Sequence, residues 1–303
     1  MLRRFALILG LALTVATAPR LDAQSGPGPA QGVAGRQAVT LASGRSYLID
    51  LPAHPARAPM ILALHGGGGN PAQFARSSGL SGPANRAGYA VIYPAGTGRR
   101  FLTWNGGYCC GVAARGQVDD VAFLEEVRRD AARRFGLNAA RAYATGMSNG
   151  ALMAEAYGAL RPDALRAVAG VAGTLDLTRF PPRAAVPLLH IHGTADDHVP
   201  YDGGRGPEGL TQTPFTAVAD VIAAYYTLTP GLLRSERTID TASDGMRVRE
   251  TTWTKAGRPM IRLITIEGGG HVWPGGRRAA RQAGATQDIN ATDEILRFFA
   301  QVP

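Results

Sequence analysis

The sequence predicts an α/β fold with a mainly parallel central sheet and helices on both of its faces. Short apolar runs alternate with helical patterns along most of the 303 residues, which is typical of βαβ units. The composition, 45% hydrophobic and 18% charged, can bury a core and excludes an intrinsically disordered protein. The sequence shows no linker and no internal repeat, so we expect one domain over residues 37–303.

Residues 1–36 are expected to lie outside this domain. Two arginines precede the apolar stretch Phe5–Ala18, which is too short to cross a bilayer as a helix and is typical of a secretory signal peptide. We expect residues 1–23 to be removed, so that Gln24 begins the mature chain; an uncleaved membrane anchor is the alternative. Residues 24–36, rich in Gly and Pro, predict a flexible lead-in. The expected location is secreted, extracellular or periplasmic, with no stable membrane association.

The positive charge of the chain does not indicate a nucleic-acid partner. The formal net charge is +9, and removal of residues 1–23, which hold three Arg and one Asp, lowers it to +7. The remaining arginines are scattered, and aromatic residues are not interleaved with them as in a nucleic-acid groove. We therefore expect no nucleic-acid binding. The sequence leaves the oligomeric state open.

Strand and helix patterns follow one another in the order that a parallel sheet requires. Asp119 and Asn290 stand directly before helical patterns, where N-cap residues belong. Ala38–Leu41 and Ser46–Asp50 alternate between apolar and polar residues and predict an antiparallel hairpin. The predicted core strands are Met60–Leu64, Ala90–Tyr93, Ala142–Thr145, Ala167–Val171, Leu188–Ile191 and Ile261–Ile266, and the predicted helices are Pro71–Ser77, Asp120–Phe135, Asn149–Leu160, Thr216–Tyr226 and Asn290–Phe299.

A serine stands at a sharp turn between a predicted strand and a predicted helix. Strand Ala142–Thr145 runs into GMSNG at 146–150, which is the G-x-S-x-G pattern of a nucleophile elbow. Glycines flank the serine because the turn brings neighbouring backbone too close for a Cβ atom. Ser148 is therefore predicted to be a nucleophile, and the backbone amide of Asn149 is predicted to donate to an oxyanion. The alternative is a serine that only caps a helix.

An acid and a base follow the serine in the order Ser, acid, His, which is typical of the α/β-hydrolase fold. Asp196 follows the predicted strand Leu188–Ile191, and His271 follows Ile261–Ile266 after a glycine run. Active sites of open α/β folds lie at the carboxyl ends of the strands, where both residues are expected. We predict that His271 accepts the serine proton and that Asp196 orients the imidazole. Asp197 is the alternative acid.

The loop after strand Met60–Leu64 carries four consecutive glycines, Gly66–Gly69, directly after a histidine. A loop of this HGGG type can bring backbone N–H groups close to the oxygen of a tetrahedral intermediate. We predict Gly67 as the main donor and Gly66 as the next, together with the amide of Asn149. A phosphate-binding loop is the alternative, but the Lys-Ser/Thr pair of a P-loop does not follow these glycines.

Six motifs occur in a fixed order along most of the chain: LHGGGGN (64–70), WNGGYCCG (104–111), VDDVAFL (118–124), TGMSNGA (145–151), HGTADDHVPY (192–201) and GGGHVWPG (268–275). From about residue 38 to the C-terminus, the sequence resembles the secreted polyhydroxybutyrate depolymerase and feruloyl esterase family of serine esterases. The resemblance implies a single-domain α/β-hydrolase fold. It also implies that Ser148, Asp196 and His271 form the triad, which agrees with the roles inferred from spacing.

Aromatic residues near the predicted site are candidates for substrate binding. Trp104 lies in a long Gly-rich loop, Trp273 lies two residues beyond His271, and Tyr201 ends the motif that holds Asp196. Their rings are expected to form walls for a feruloyl ring or an apolar ester chain. The alternative is that each ring packs a loop onto the domain.

Cys109 and Cys110 are the only cysteines, and they are adjacent. In an exported protein they can form a vicinal disulfide, although neighbouring Cα atoms lie closer than ordinary disulfide geometry prefers. Two free thiols are the alternative. Neither thiol is predicted to be a nucleophile, because no base is placed beside it.

The predicted acid Asp196 and three nearby histidines resemble a metal-binding cluster; the histidines are His190, His192 and His198. On a strand, His190 and His192 would point to the same face. Because Asp196 already serves the predicted triad, we expect no metal ion at this place.

These observations predict a secreted serine carboxylic-ester hydrolase that acts through an acyl-enzyme, with no metal or organic cofactor. The expected substrates are hydroxyalkanoate oligomers or polyesters, or feruloyl-type esters. Depolymerases that the chain resembles usually append a polymer-binding module, whereas 32 residues (303−271) follow His271, so soluble esters are favoured over crystalline polymer. An acyltransferase with the same triad and a non-catalytic ester- or glycan-binding protein are the alternatives.

Overall fold

The computed structural model describes residues 35–276 and 284–302. The predicted signal peptide, residues 1–23, lies outside the described residues, and so does the predicted lead-in 24–36 apart from its last two residues. Within the described ranges, no helix is both long and apolar enough to cross a membrane.

A central sheet of ten strands organises the described part of the chain. The strands are β1 (Arg36–Thr40), β2 (Ser46–Asp50), β3 (Met60–Leu64), β4 (Ala90–Pro94), β5 (Ala142–Met147), β6 (Ala167–Val171), β7 (Leu188–Gly193), β8 (Leu233–Ile239), β9 (Arg247–Lys255) and β10 (Arg258–Glu267). They lie in the order β1-β2-β4-β3-β5-β6-β7-β10-β9-β8. The strands from β4 to β10 in this order are parallel to one another, and the pairs at both ends are antiparallel. The carboxyl ends of β3, β5, β7 and β10 therefore lie at one edge.

Helices cover both faces of the sheet and bury a separate apolar cluster on each. They are α1 (Pro71–Ser78), α2 (Ser81–Arg86), α3 (Gly111–Arg115), α4 (Asp120–Phe135), α5 (Asn149–Leu160), α6 (Val218–Thr227) and α7 (Ala291–Gln301). One cluster joins α4, α5 and α6 to the sheet, and the other joins α1, α2 and α7. The parallel strands are buried on both sides, which explains why their sequences are continuously apolar.

The structure confirms the predicted α/β fold class and most of its elements. Each predicted core strand is present, four of the five predicted helices begin within one residue of their expected start, and Asp119 and Asn290 cap α4 and α7 with their side chains. Strands β8 and β9 were not predicted, because β8 is exposed along most of its length and its sequence, LRSERTI, is mostly polar. The pairing of these strands with β10 extends the parallel sheet by an antiparallel hairpin.

Candidate active site

Ser148 lies at the turn between β5 and α5, in a backbone conformation that few residues adopt. Its φ is +56° and its ψ is −126°. Such a conformation costs a non-glycine residue about 1–3 kcal/mol and persists only when its surroundings enforce it. Here the amide of Ser148 donates to the Val171 carbonyl of β6, and the carbonyl of Ser148 accepts from Ala151 and Leu152 in the first turn of α5. The serine is thus fixed at the carboxyl edge of the sheet.

The two glycines of the elbow are required by close backbone contacts. A Cβ atom on Gly146 would lie 2.4 Å from the Gly150 carbonyl, and one on Gly150 would lie 2.2 Å from the Leu64 carbonyl. Both distances are far shorter than a van der Waals contact. This close approach lets α5 begin directly above β3 and β5. It brings Ser148 next to the end of β3, where the glycine loop begins.

His271 and Asp196 form a hydrogen-bonded pair at the same edge. The Nδ1 atom of His271 lies 2.8 Å from Oδ2 and 3.0 Å from Oδ1 of Asp196. The two loops that carry the pair support each other: the amide of Ala195 donates to the Gly269 carbonyl, and a Cβ atom on Gly193 would lie 2.2 Å from that oxygen. Glycine at 193 therefore permits the contact between the loops that brings acid and base together.

Asp196 is held as a carboxylate by several donors. Its Oδ1 accepts the backbone amides of His198 and Val199 at 2.9 and 2.8 Å, and His192 and His271 approach the same carboxyl group. Burial alone would raise the pKa of Asp196, but the hydrogen bonds from His192 and His271 outweigh burial and hold the pKa well below its usual range. Its neighbour Asp197 is exposed and contacts the Nδ1 atom of His198 at 2.6 Å. The structure thus places Asp196, and not Asp197, against His271.

The glycine loop after β3 lies beside the elbow. Within the described residues, Gly68 donates its amide to Leu102 and Gly69 donates its amide to Gly66, whereas the amide of Gly67 has no such acceptor. A Cβ atom on Gly66 would lie 3.6 Å from the Cβ of Ser148, and one on Gly67 would lie 3.6 Å from the Cβ of Asn149. The loop therefore places an unengaged amide next to the nucleophile, as an oxyanion donor requires.

His65 holds this glycine loop in place, a role that the sequence did not reveal. Its Nδ1 lies 2.8 Å from the Gly66 carbonyl, and its Nε2 accepts the Gly96 amide at 3.0 Å. Because Nε2 accepts, Nδ1 carries the proton and the ring is neutral. Burial lowers the pKa of His65 to about 4, despite the hydrogen bond to Gly66. The only sequence signal was its position directly before the glycine run.

A narrow apolar cleft opens at Ser148. The adjacent Cys109 and Cys110, whose sulfur atoms the structure pairs with each other, form one side of the cleft. The apolar side chains that line it are Leu152, Val199, Leu210 and Phe215. An ester carbonyl at Ser148 would therefore have mainly apolar groups around its acyl part.

The structure places Trp104 and Trp273, which were expected to form substrate walls, in the core and not at the cleft. Trp104 is completely buried, donates its indole N–H to the His65 carbonyl at 2.9 Å and stacks on Phe123. Trp273 is also buried, and its ring packs edge-on against Phe74 of α1. Trp104 was predicted from its place in a Gly-rich loop and Trp273 from its closeness to His271 in sequence, but each ring turns into the core beneath its loop.

Tyr201 does not line the cleft at Ser148 either, within the part of the chain that the structure describes. Its hydroxyl shares a hydrogen bond of 2.8 Å with Thr265 of β10, and its ring meets His192 edge-on. Tyr201 therefore joins the segment after Asp196 to the sheet, and the substrate-binding role expected for it has no support in its position.

Three of the clustered side chains could approach a common cation: ligand atoms of Asp196, His198 and His271 lie within 4.8 Å of one another. Two of the three are already hydrogen-bonded to each other as acid and base. His190 and His192 are bonded to each other, and His192 also contacts the Asp196 carboxyl from behind. A hydrogen-bonded imidazole and carboxylate, such as His271 and Asp196, are suited to proton transfer.

Comparison with known proteins gives the family to which this site is related. The family model described as esterase PHB depolymerase matches residues 45–180, a segment that contains the glycine loop and the elbow. The resemblance inferred from the motifs is confirmed. With it, the predicted enzyme class, a carboxylic ester hydrolase, is confirmed as well.

Relatives and solved structures of similar chains agree with this result. The putative esterase NocK of Nocardia uniformis subsp. tsuyamanensis is 29% identical over 87% of this chain and 81% of its own. Feruloyl esterase B of Piromyces equi is 29% identical over 48% of this chain, and the chain spans 28% of that protein. The acetyl xylan esterase from Aspergillus awamori superposes with a TM-score of 0.58 at 15% identity, covering 88% of this chain and 99% of that one. At such low identity the superposition shows the fold, which is that of the α/β-hydrolases.

Proposed function

We propose that this protein is a serine carboxylic-ester hydrolase that acts through a covalent acyl-enzyme. Ser148 attacks the ester carbonyl while His271 takes the hydroxyl proton, and a tetrahedral oxyanion forms. The amides of Gly67 and Asn149, with Gly66 beside them, donate to this oxyanion. His271 then gives the proton to the leaving alcohol, and Asp196 stabilises the imidazolium. Water attacks the acyl-enzyme in the same way and releases the acid and the free serine.

One observation carries this proposal: a serine at φ +56° lies on the same sheet edge as a hydrogen-bonded His271–Asp196 pair. A serine that merely capped a helix would have no reason to occupy a strained conformation. The side chain of Ser148 makes no cap hydrogen bond to α5, so the capping alternative has no support. The neighbouring glycine loop adds the donors that acyl transfer needs.

For the substrate, we propose esters with an apolar acyl part, namely hydroxyalkanoate oligomers or polyesters and feruloyl-type esters. The support comes from the apolar side chains and the two cysteines around Ser148. Apolar walls of this kind favour hydrocarbon or aromatic groups over charged ones. Relatives named feruloyl esterase B are consistent with the aromatic member of this pair.

A panel of p-nitrophenyl esters, methyl ferulate and hydroxybutyrate oligomers tests both parts of the proposal. Ser148→Ala is the control, and its kcat is expected to fall by a factor on the order of 10⁶. Undiminished hydrolysis by this variant would contradict the mechanism, and hydrolysis of no member of the panel would contradict the substrate class. Transfer of the acyl group to an added alcohol instead of water would identify an acyltransferase.

We also propose that the protein is exported, because the apolar stretch Phe5–Ala18 after two arginines has the form of a signal peptide. N-terminal sequencing of protein collected outside the cytoplasm is expected to give Gln24 as the first residue. Detection of the chain only in the cytoplasm, or with Met1 as its first residue, would contradict this proposal.

A further inference from the structure

A row of buried ionisable side chains connects helix α5 to the back of Asp196. The Oε1 atom of Glu155 lies 2.9 Å from Nδ1 of His190, and Nε2 of His190 lies 3.2 Å from Nδ1 of His192. Nε2 of His192 in turn lies 2.7 Å from the Val199 carbonyl and 3.3 Å from Oδ2 of Asp196. We call Glu155, His190 and His192 the buried row.

Helix α5 and strand β7 hold the buried row in the interior of the protein. His190 and His192 are two residues apart on β7, so their rings point to the same face and stack with centroids 5.4 Å apart. The side chains of all three residues are fully buried. Glycine at 170 of β6 provides the space, since a Cβ atom there would lie 2.2 Å from Oε1 of Glu155. Buried ionisable groups are costly unless they are hydrogen-bonded, so each contact in the row constrains the protonation state.

Those contacts determine how many protons the row holds. The Val199 carbonyl and the Asp196 carboxylate can only accept, so Nε2 of His192 carries a proton. Between the rings, one nitrogen must donate and the other must accept. If both rings were neutral and Glu155 were ionised, two lone pairs would face each other, either between the rings or between His190 and Glu155. That protonation state leaves one of the hydrogen bonds unmade.

One additional proton allows every hydrogen bond of the row to form, whichever of the three residues carries it. On Glu155, the carboxyl O–H donates to His190, which donates to His192. On His190, the imidazolium donates in both directions. On His192, its Nδ1–H donates to His190, which donates to the Glu155 carboxylate. In each arrangement the row as a whole has zero net charge, because the extra proton cancels the charge of Glu155.

We propose that Glu155, His190 and His192 share one buried proton, and that Glu155 and His190 are positioning residues which act through His192 on the catalytic acid Asp196. The shared proton keeps a donor directed at the Asp196 carboxylate and prevents a second negative charge from forming behind it. This inference rests on the proposed role of Asp196 in the triad. Its proton count is independent of that role.

Other titratable groups near the row and the base are compatible with this assignment. Tyr225 of α6 faces Glu155; burial raises the pKa of Tyr225, and the nearby carboxyl raises it further, so this phenol stays neutral. The ring of His198 lies parallel to that of His271 with centroids 4.5 Å apart, and Asp197 binds His198 on the exposed side. His198 is partly exposed to solvent, whereas the side chains of the buried row are fully buried.

NMR of the whole protein tests the proton count directly. The ¹⁵N shifts of the two rings and the ¹³C shift of the Glu155 carboxyl are expected to show one proton beyond an ionised acid and two neutral imidazoles. In Glu155→Gln, the amide can donate to His190, so both rings are expected to be neutral with the proton on Nε2. An ionised Glu155 beside two neutral rings in the wild type would overturn the proposal.

Kinetics test the positioning role with a matched pair of variants at residue 190. His190→Leu removes the partner of His192, and its kcat is expected to fall about tenfold or more at unchanged KM, since small misplacements of catalytic groups are costly. The acid limb of the pH profile is expected to move to higher pH, because a weaker donor leaves more charge on Asp196 to stabilise protonated His271. His190→Gln keeps a donor near the Nε2 position and is expected to recover kcat to within about threefold of wild type.

A different outcome is expected if the buried row only stabilises the fold. In that case His190→Leu would lower the unfolding temperature, but the folded enzyme would keep the wild-type kcat and pH profile, which would overturn the proposal. Equal losses in the Leu and Gln variants would overturn it as well. Ser148→Ala separates the two levels: if that variant hydrolyses esters at the wild-type rate, the proposed function fails, while the NMR proton count still decides the buried row.

Discussion

The two sides of the Asp196 carboxyl carry the same kinds of residue in opposite environments. Behind it, His190 and His192 are fully buried and every ring nitrogen meets a partner. In front of it, His198 and Asp197 form a pair whose side chains are 41% and 54% exposed. Buried rings must satisfy each nitrogen internally, whereas exposed rings can exchange partners with water. Residue type alone therefore does not assign these histidines; burial does.

The largest difference between the two sides is expected at the adjacent aspartates. In Asp196→Asn, the amide cannot stabilise protonated His271, and kcat is expected to fall by a factor on the order of 10³ to 10⁴. In Asp197→Asn, only an exposed pair is lost, and kcat is expected to stay within about threefold of wild type. Steady-state hydrolysis of a p-nitrophenyl ester measures both. Similar losses in the two variants would show that Asp196 has no special role.

His65, beside the glycine loop after β3, is a further buried histidine. Its effect on the free energy of unfolding is expected to be the next largest. Its pKa is about 4 when folded and about 6.5 when unfolded. Between these values the unfolded state binds more protons, so this contribution is complete above pH 6.5 and is lost as the pH falls toward 4. The loss amounts to about 3 kcal/mol in the free energy of unfolding. Urea denaturation across this range measures it.

His65→Gln provides the control for that measurement, because it removes the titrating ring while keeping a polar side chain beside Gly66. The pH dependence of its unfolding free energy is expected to be smaller than that of the wild type by about the same amount. Parallel curves for the two proteins would mean that His65 does not titrate on unfolding.

Gly170→Ala tests the packing of the buried side without replacing an ionisable residue. The new methyl would lie 2.2 Å from Oε1 of Glu155, and overpacking of this kind typically costs about 1–3 kcal/mol. Denaturant unfolding measures this cost. In a Glu155→Ala background the methyl has space, so there the substitution is expected to cost less than about 0.5 kcal/mol. An equal cost in both backgrounds would mean that Gly170 is needed for another reason.

The smallest effect is expected on the exposed side. His198→Ala removes a ring that lies parallel to His271 and lines the cleft at Ser148, but this ring is partly exposed. Its kcat/KM is expected to change by no more than about threefold, since exposed pairs contribute about 0.2–1 kcal/mol. A loss as large as that of Asp196→Asn, measured on the same ester, would place His198 in the reaction itself.

Local patterns predicted the central part of the fold well. Continuous apolar runs gave β3 and β6 with their observed bounds, and the caps Asp119 and Asn290 marked the starts of α4 and α7. The same patterns did not predict β8, because an exposed strand at the edge of the sheet has no apolar pattern to reveal it. Its hydrogen bonds come from β9, which a local pattern does not contain.

For the site residues as well, local patterns predicted some positions and not others. The glycines that flank Ser148 encode its turn. The glycine runs at 66–69 and 268–270 indicate where Gly67 and His271 lie in the sequence. Local patterns did not reveal that Trp104 and Trp273 are buried in the core, because the orientation of a large ring depends on what lies beneath its loop. For Trp104 that is the carbonyl preceding the glycine run, 39 residues away.

The sequence by itself determined the order of the elements, the strained serine turn and the loops that end each parallel strand, since all of these depend on contacts within a few residues. Only the tertiary structure showed that Asp196, and not Asp197, lies against His271, buried the two tryptophans and joined Glu155 to His190 across 35 residues. The physical reason is that burial and hydrogen-bond satisfaction are properties of the packed interior. Two adjacent, identical side chains acquire different roles only when the fold places one of them inside.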